Sequence, residues 1–192
     1  MSVSACSSSS QNAPPPEPAA QATGAPSAEA NAPATPAVSA SEPKELLAVG
    51  APAPEVEGQD AKGELVRLSQ RRGHPSIVYF YPKNDTPGCT KEACAFRDAF
   101  DKFSQRGVTI FGVSRDDESS HTAFRDKYSL PFPLVADPSG TVQRSYGVPN
   151  RIPGLASRVT FLVAADGSIA KVWPDVDPAV HADEVLAAIA KL

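Results

Sequence analysis

Cys89 and Cys94 are the residues of this 192-residue chain whose type and spacing could do chemistry. Cys89 follows an apolar run, Ser76-Ile77-Val78-Tyr79-Phe80-Tyr81, and a turn-rich segment, Pro82-Lys83-Asn84-Asp85-Thr86-Pro87-Gly88. Thr86 has the character of a helix N-cap and Pro87 that of a first helical position. Cys89 is then expected in the first helical turn. There, backbone N–H groups without intrahelical partners and the positive end of the helix dipole favour thiolate over thiol. An ordinary thiol, with a pKa of about 8.5, is mostly protonated at neutral pH. Cys94 follows five residues later, so a reactive thiol would have a second thiol built in beside it. Read singly, the same residues have plainer roles. Cys94 can be a small buried hydrophobe, Thr86 only a cap, and Arg158 a surface ion-pair partner.

The elements that must position this pair are legible from periodicity. Glu64 to Ser69 alternates as a short strand, and Ser76 to Tyr81 reads as a strand buried on both faces. Cys89 to about Gln105 has helical spacing, with Ala93, Phe96, Phe100 and Phe103 on one side and Gly107 as its stop. Val108 to Ser114 is a second buried strand. Ser119 to Tyr128 reads as a helix capped by Ser119 or Ser120, with Asp116-Asp117-Glu118 as a solvated acidic loop before it. A short strand from Phe132 to Ala136 and a helix from Gly140 to Tyr146 follow. Arg158 to Val163 is a strand, turned by Asp166-Gly167 into Ser168 to Trp173. Pro178 to Leu192 is a closing amphipathic helix with Val180, Val185, Leu186 and Ile189 inward. Strands alternating with helices imply an α/β domain with a mainly parallel sheet, and the last hairpin adds an antiparallel edge.

Composition divides the chain into two regions. Residues 1–45 are built from Ala, Pro, Ser, Gln, Glu and Asn without an aromatic residue, and are expected to form a disordered linker. Residues 46–192 carry the folded domain, long enough for a core of its own. Val3-Ser4-Ala5-Cys6 is similar to a bacterial lipobox, with Cys6 as the lipidated residue. Only five residues precede Cys6, so the apolar stretch of a full signal is missing from this sequence. The expectation is a lipoprotein tethered in the bacterial cell envelope or periplasm, with the cytoplasm as alternative. The net charge is −4 and no long basic run occurs, which argues against nucleic acid as a partner. Three cysteines are too few for a disulfide scaffold. His74, His121 and His181 lie far from the cysteines in sequence, so neither a metal nor another cofactor is expected.

The segment Pro82-Lys83-Asn84-Asp85-Thr86-Pro87-Gly88-Cys89 resembles the Pro-x-x-x-Thr/Ser-x-x-Cys motif of the peroxiredoxins. With Cys94 five residues on, it resembles their peroxiredoxin Q or bacterioferritin comigratory protein group in particular. The resemblance covers most of residues 46–192 and implies a thioredoxin-like fold and an antioxidant peroxidase. By it, Cys89 is the peroxidatic cysteine, Thr86 hydrogen-bonds the peroxide, and Pro82 shields the thiolate. Arg158, just before a Val-Thr-Phe-Leu-Val run, matches the family arginine that holds thiolate and peroxide. Nothing in the spacing alone places Arg158 near Cys89. Asn84 departs from the acid that many members carry there.

The resemblance also implies that Cys94 resolves the sulfenic acid of Cys89, that a thioredoxin-like dithiol reduces the resulting disulfide, and that the protein is a monomer. Residues five apart on an intact helix have Cα atoms roughly 8–9 Å apart and point about 140° away from each other. A disulfide needs Cα atoms within about 7 Å. The first turns of the helix must therefore unwind for the pair to join. Two other readings stand beside this one: a general thiol–disulfide oxidoreductase, which the missing Cys-x-x-Cys disfavours, and an anchored module whose cysteines only sense redox state.

Overall fold

Every strand expected from an apolar or alternating run lies in one seven-stranded sheet. The computed structural model describes residues 45–192. The chain runs through β1 (Glu57–Gln59), β2 (Leu65–Arg67), a short 3-10 helix (Leu68–Arg71), β3 (Ser76–Phe80), α1 (Pro87–Asp98) and α2 (Phe100–Ser104). It continues through β4 (Thr109–Ser114), α3 (Glu118–Tyr128), β5 (Leu134–Ala136), α4 (Thr141–Ser145), β6 (Asn150–Ile152), β7 (Leu155–Ala156), β8 (Val159–Val163), β9 (Ile169–Trp173) and α5 (His181–Ile189). The sheet order is β2-β1-β5-β4-β3-β8-β9, and β6 and β7 form a separate hairpin.

The three central strands β3, β4 and β5 are parallel, and β8 joins β3 antiparallel. β3 is buried at every position, so successive side chains feed two cores on opposite faces. Ile77 and Tyr79 join Phe96, Phe103, Phe124, Val185 and Ile189, the inward residues of the helices on one face. Val78 and Phe80 join Phe111, Phe161 and Tyr146 on the other, where the segment around Leu46 and Leu47 also packs.

Several expectations need correction. The helix after Cys89 is two helices. It begins at Pro87, as the Thr86-Pro87 start signal implied, but breaks at Ala99, which closes α1 and opens α2. The break seats Phe103 fully in the core and sets Phe100 against Phe132, with ring centroids 6.5 Å apart. The cap of α3 is Asp117, not Ser119 or Ser120: its carboxylate accepts from the Ser120 backbone N–H at 2.8 Å. A carboxylate is as good a cap as a hydroxyl and also complements the helix dipole. Val180 is exposed, because α5 starts one residue after it, at His181. β1 and the β6–β7 hairpin were not foreseen. They are short, half-polar segments whose pairing partners are set by the fold and not by local pattern. The tail assigned to residues 1–45 and its Cys6 lie, Glu45 apart, outside the described residues. Among the described residues no helix is long and apolar enough to cross a membrane.

Candidate active site

The site forms where β3 runs out into the loop that carries Cys89. Thr86 occupies the N-cap of α1 in extended conformation and Pro87 follows as the first helical residue. The first intrahelical bond is donated by Thr90 N–H to the Thr86 carbonyl, 2.9 Å. The N–H groups of Gly88 and Cys89 belong to the uncompensated first turn. One part of the sequence reading fails here. The Thr86 hydroxyl does not cap the helix; it donates to the Lys83 carbonyl at 3.0 Å. That bond uses its hydrogen and leaves its lone pairs as acceptors.

Arg158 reaches the cysteine through strand pairing. β8 lies antiparallel to β3, with Val159 opposite Phe80. Arg158, one residue before β8, therefore sits beside the point where β3 ends. Its Nη2 donates to Cys89 Sγ at 3.2 Å, across 69 residues of chain. Gly88 allows this approach: a Cβ on residue 88 would fall 2.7 Å from that same Nη2.

The other arm of the guanidinium carries a residue that sequence reasoning missed. Arg158 Nη1 donates to Glu92 Oε2 at 2.6 Å, and both side chains are almost wholly buried. Glu92 follows Cys89 by three positions on α1, so the two share a helix face. That spacing was the available signal: one acid on a face otherwise made of Cys89, Ala93 and Phe96. Burial pushes the Glu92 carboxyl up to about 7, against the pull of Arg158. Its second oxygen, Oε1, has no hydrogen-bond partner among the described residues. One guanidinium thus serves two acidic groups, a thiol and a carboxyl, in the same dry pocket.

Cys89 and Cys94 are both buried thiols on the intact helix α1 and are not joined to each other. Pro82 is half-buried at the start of the loop. A second polar group lies behind that loop, and no role for it was read from the sequence. Asn84, Tyr81, Ser114, Asp116, Ser120 and His121 form a hydrogen-bonded cluster between the loop and α3. Asp116 is therefore a working part of the structure, while Asp117, the α3 cap, and Glu118 are solvent-exposed as the sequence suggested. His181 is also buried. Its Nε2 lies 2.8 Å from Thr160 Oγ1, its ring stands edge-on to Phe96 and Trp173, and burial pushes its pKa down to about 4. No group of three or more potential metal ligands occurs among the described residues.

The site thus joins a buried thiol in the first turn of a helix to an arginine that precedes the antiparallel neighbour strand, on a thioredoxin-like fold. The family defined as AhpC/TSA matches residues 49–172. A putative peroxiredoxin bcp of Coxiella burnetii is 43% identical over 147 residues, which cover 73% of this chain and 97% of that one. A chloroplastic peroxiredoxin Q of Suaeda salsa is 44% identical over 130 residues, 67% of this chain and 61% of the relative's length. The chain therefore spans somewhat under two thirds of that plant relative. The bacterioferritin comigratory protein of Xanthomonas campestris, studied for its alkyl peroxide reduction, superposes with a TM-score of 0.65 at 35% identity, covering 71% of this chain and 90% of that one. The chain belongs to the AhpC/TSA family of peroxiredoxins, and its relatives are of the peroxiredoxin Q and bcp group.

Proposed function

We propose that this peroxiredoxin reduces hydrogen peroxide and organic hydroperoxides at Cys89 and resolves through Cys94. The observation that carries the reading is the 3.2 Å contact between Arg158 Nη2 and Cys89 Sγ at the first turn of α1. A guanidinium there stabilises the thiolate and, in the transition state, the alkoxide that leaves. The thiolate attacks the terminal peroxide oxygen and the O–O bond breaks. Cys89 becomes a sulfenic acid, and the alkoxide takes a proton to leave as alcohol, or as water from hydrogen peroxide. The Thr86 hydroxyl, already donating to the Lys83 carbonyl, is set to accept the O–H of a hydroperoxide. Pro82 shields the sulfur from solvent. The alkyl peroxide activity of the Xanthomonas relative supports including organic substrates.

In the next step Cys94 attacks the Cys89 sulfenic sulfur, water leaves, and the disulfide forms once the start of α1 has unwound. Both cysteines lie on one helix, so resolution needs no second copy of the chain and a monomer suffices. A thioredoxin-like dithiol reduces the disulfide by exchange. The lipid anchor at Cys6 belongs to the same proposal and rests on sequence alone. Membrane fractionation of the chain with Cys6 intact and with Cys6→Ser tests it, and recovery of both forms in the soluble fraction would end it.

The first test of the chemistry is mass spectrometry with peptide mapping after one equivalent of hydrogen peroxide. Loss of two hydrogens mapped to Cys89–Cys94 is expected within seconds. Cys89→Ser should consume no peroxide, and Cys94→Ser should stop after one turnover with Cys89 over-oxidised. An unaltered chain that stays reduced for minutes would reject the peroxidase, and full turnover by Cys94→Ser would reject the resolving role.

A further inference from the structure

The resolving step requires α1 to open between Cys89 and Cys94, and an opening helix needs fixed ends. The downstream end is in place. Phe96 is fully buried, with ring centroids 5.0 Å from Tyr79, 5.8 Å from Phe103 and 5.6 Å from His181. Unwinding past residue 95 would pull this ring out of the core, so the helix beyond it stays.

The upstream end is held by the polar cluster behind the loop. Asn84 uses every hydrogen-bonding group that it presents to the cluster. Its Oδ1 accepts from Tyr81 Oη at 2.8 Å, its backbone N–H donates to Asp116 Oδ2 at 2.9 Å, and its Nδ2 donates to Ser120 Oγ at 2.9 Å. The second Nδ2 hydrogen faces His121 Nδ1 at 3.3 Å. An amide nitrogen only donates, so Nδ1 is the acceptor and the imidazole proton sits on Nε2, 3.4 Å from Ser114 Oγ. The next residue, Asp85, is a fixed bend. Its φ of 57° is in the left-handed region, and its carboxylate accepts from Lys127 Nζ at 2.8 Å and Tyr128 Oη at 2.9 Å. Ser120, His121, Lys127 and Tyr128 all belong to α3.

We propose that α3 clamps Asn84 and Asp85 as the hinge of the reactive helix, confining its unwinding to residues 86–95, with His121 the positioning residue at the centre of the clamp. The inference rests on the Cys89–Cys94 reading and says what sets the balance between its two conformations. With the hinge held, the folded turn keeps Cys89 against Arg158, where peroxide reacts. With the hinge loosened, the open form is more populated: attack on peroxide slows, and the sulfenic acid meets Cys94 sooner.

The test is hydrogen exchange on the reduced full-length chain, paired with the fraction of Cys89 converted to sulfinate under excess hydrogen peroxide. In Asn84→Ala, amides of residues 88–95 should exchange about tenfold faster while those of β3, β4 and β8 keep their protection, as expected when a small buried network is lost. The sulfinate fraction should fall several-fold. His121→Phe should give the same pair of changes, and the double variant little more than either one, because the residues act through one network. Should Asn84→Ala not fold, Asp85→Asn serves in its place. It keeps a residue that tolerates positive φ, alters a half-exposed side chain, and should raise exchange in 88–95 about threefold. Exchange in α1 unchanged, or raised equally in the sheet, overturns the proposal. Failure of the cysteine-pair reading is seen separately, as no Cys89–Cys94 disulfide in the unaltered chain while the exchange contrast persists.

Discussion

Tyr79 and Tyr81 stack on one another at the end of β3, with ring centroids 5.4 Å apart, yet their hydroxyls enter opposite surroundings. Tyr81 Oη donates to Asn84 and touches His121, in a cluster where amide, hydroxyl and carboxylate groups meet partners. Tyr79 Oη has no partner among the described residues, and neither has the nearby Glu92 Oε1. Buried polar groups are ordinarily satisfied, because each one that is not costs about 1–3 kcal/mol. The two regions thus divide the work. The satisfied cluster fixes a backbone. The unsatisfied one holds a thiol, a carboxyl and one guanidinium in a dry space, where each charge strongly affects the others.

The largest effect should come from removing the shared cation. Arg158→Ala takes away the donor to Cys89 and leaves Glu92 buried without its partner. The second-order rate with hydrogen peroxide should fall at least about 100-fold, the order seen when one preorganised donor is lost. Alkylation of Cys89 at neutral pH should slow as well, and Glu92 should hold its proton to still higher pH. Stopped-flow oxidation and pH-dependent alkylation measure both. A rate within a few-fold of the unaltered chain would mean that the arginine contact has no part in the chemistry.

What the sequence disclosed follows the same division. Pro82, Thr86, Cys89 and Cys94 lie within one short segment, so their relation to a helix start is local and legible. Arg158 was reached only by resemblance, since its approach depends on Val159 pairing with Phe80 in an antiparallel register that no local pattern encodes. Glu92 went unnoticed because a lone glutamate on a helix usually faces water; its place three residues after Cys89 was the overlooked signal. His121 precedes Phe124 by three on the buried face of α3, which marks it as inward-facing but not as a hydrogen-bond partner of a loop 37 residues earlier. The hinge was invisible for the same reason as Arg158: its bonds join segments that only the fold brings together.

A smaller and more selective effect is expected at Gly88. Its φ is not in the left-handed region, so alanine fits the helix, and replacing glycine there should stabilise by about 0.5–1 kcal/mol. The added methyl would meet Arg158 Nη2 at 2.7 Å, the atom that holds Cys89. A long side chain can step aside cheaply, but doing so moves the donor away from the sulfur. Gly88→Ala should keep or slightly raise the melting temperature while lowering the peroxide rate about tenfold. An unchanged rate would show that the approach of Arg158 to Cys89 tolerates displacement, and that the reactive region is less tightly drawn than the hinge beside it.

The finest test separates the carboxyl from the cation. Glu92→Gln keeps the shape of the side chain and removes a negative charge that shares Arg158 with the thiolate. Alkylation of Cys89 at neutral pH should become faster, since a nearby anion opposes thiolate formation. Stability carries a second signature whose sign is fixed by linkage. The Glu92 carboxyl titrates at about 7 in the folded chain against 4.5 as its ordinary value. Between those values the folded state keeps a proton that the unfolded state has released, so this group lowers stability as pH rises through the window. His181, held down at about 4 against its usual 6.5, acts in the opposite direction over much of the same range, because there the unfolded chain binds the extra proton. The unaltered protein should show a shallow profile from the near-cancellation of the two. Glu92→Gln should uncover the histidine slope, gaining stability relative to the parent as pH rises from about 4.5 to about 7 in denaturant titrations. Parallel profiles would mean that Glu92 is ionised throughout, and that the pocket around Cys89 is as well compensated as the cluster around His121.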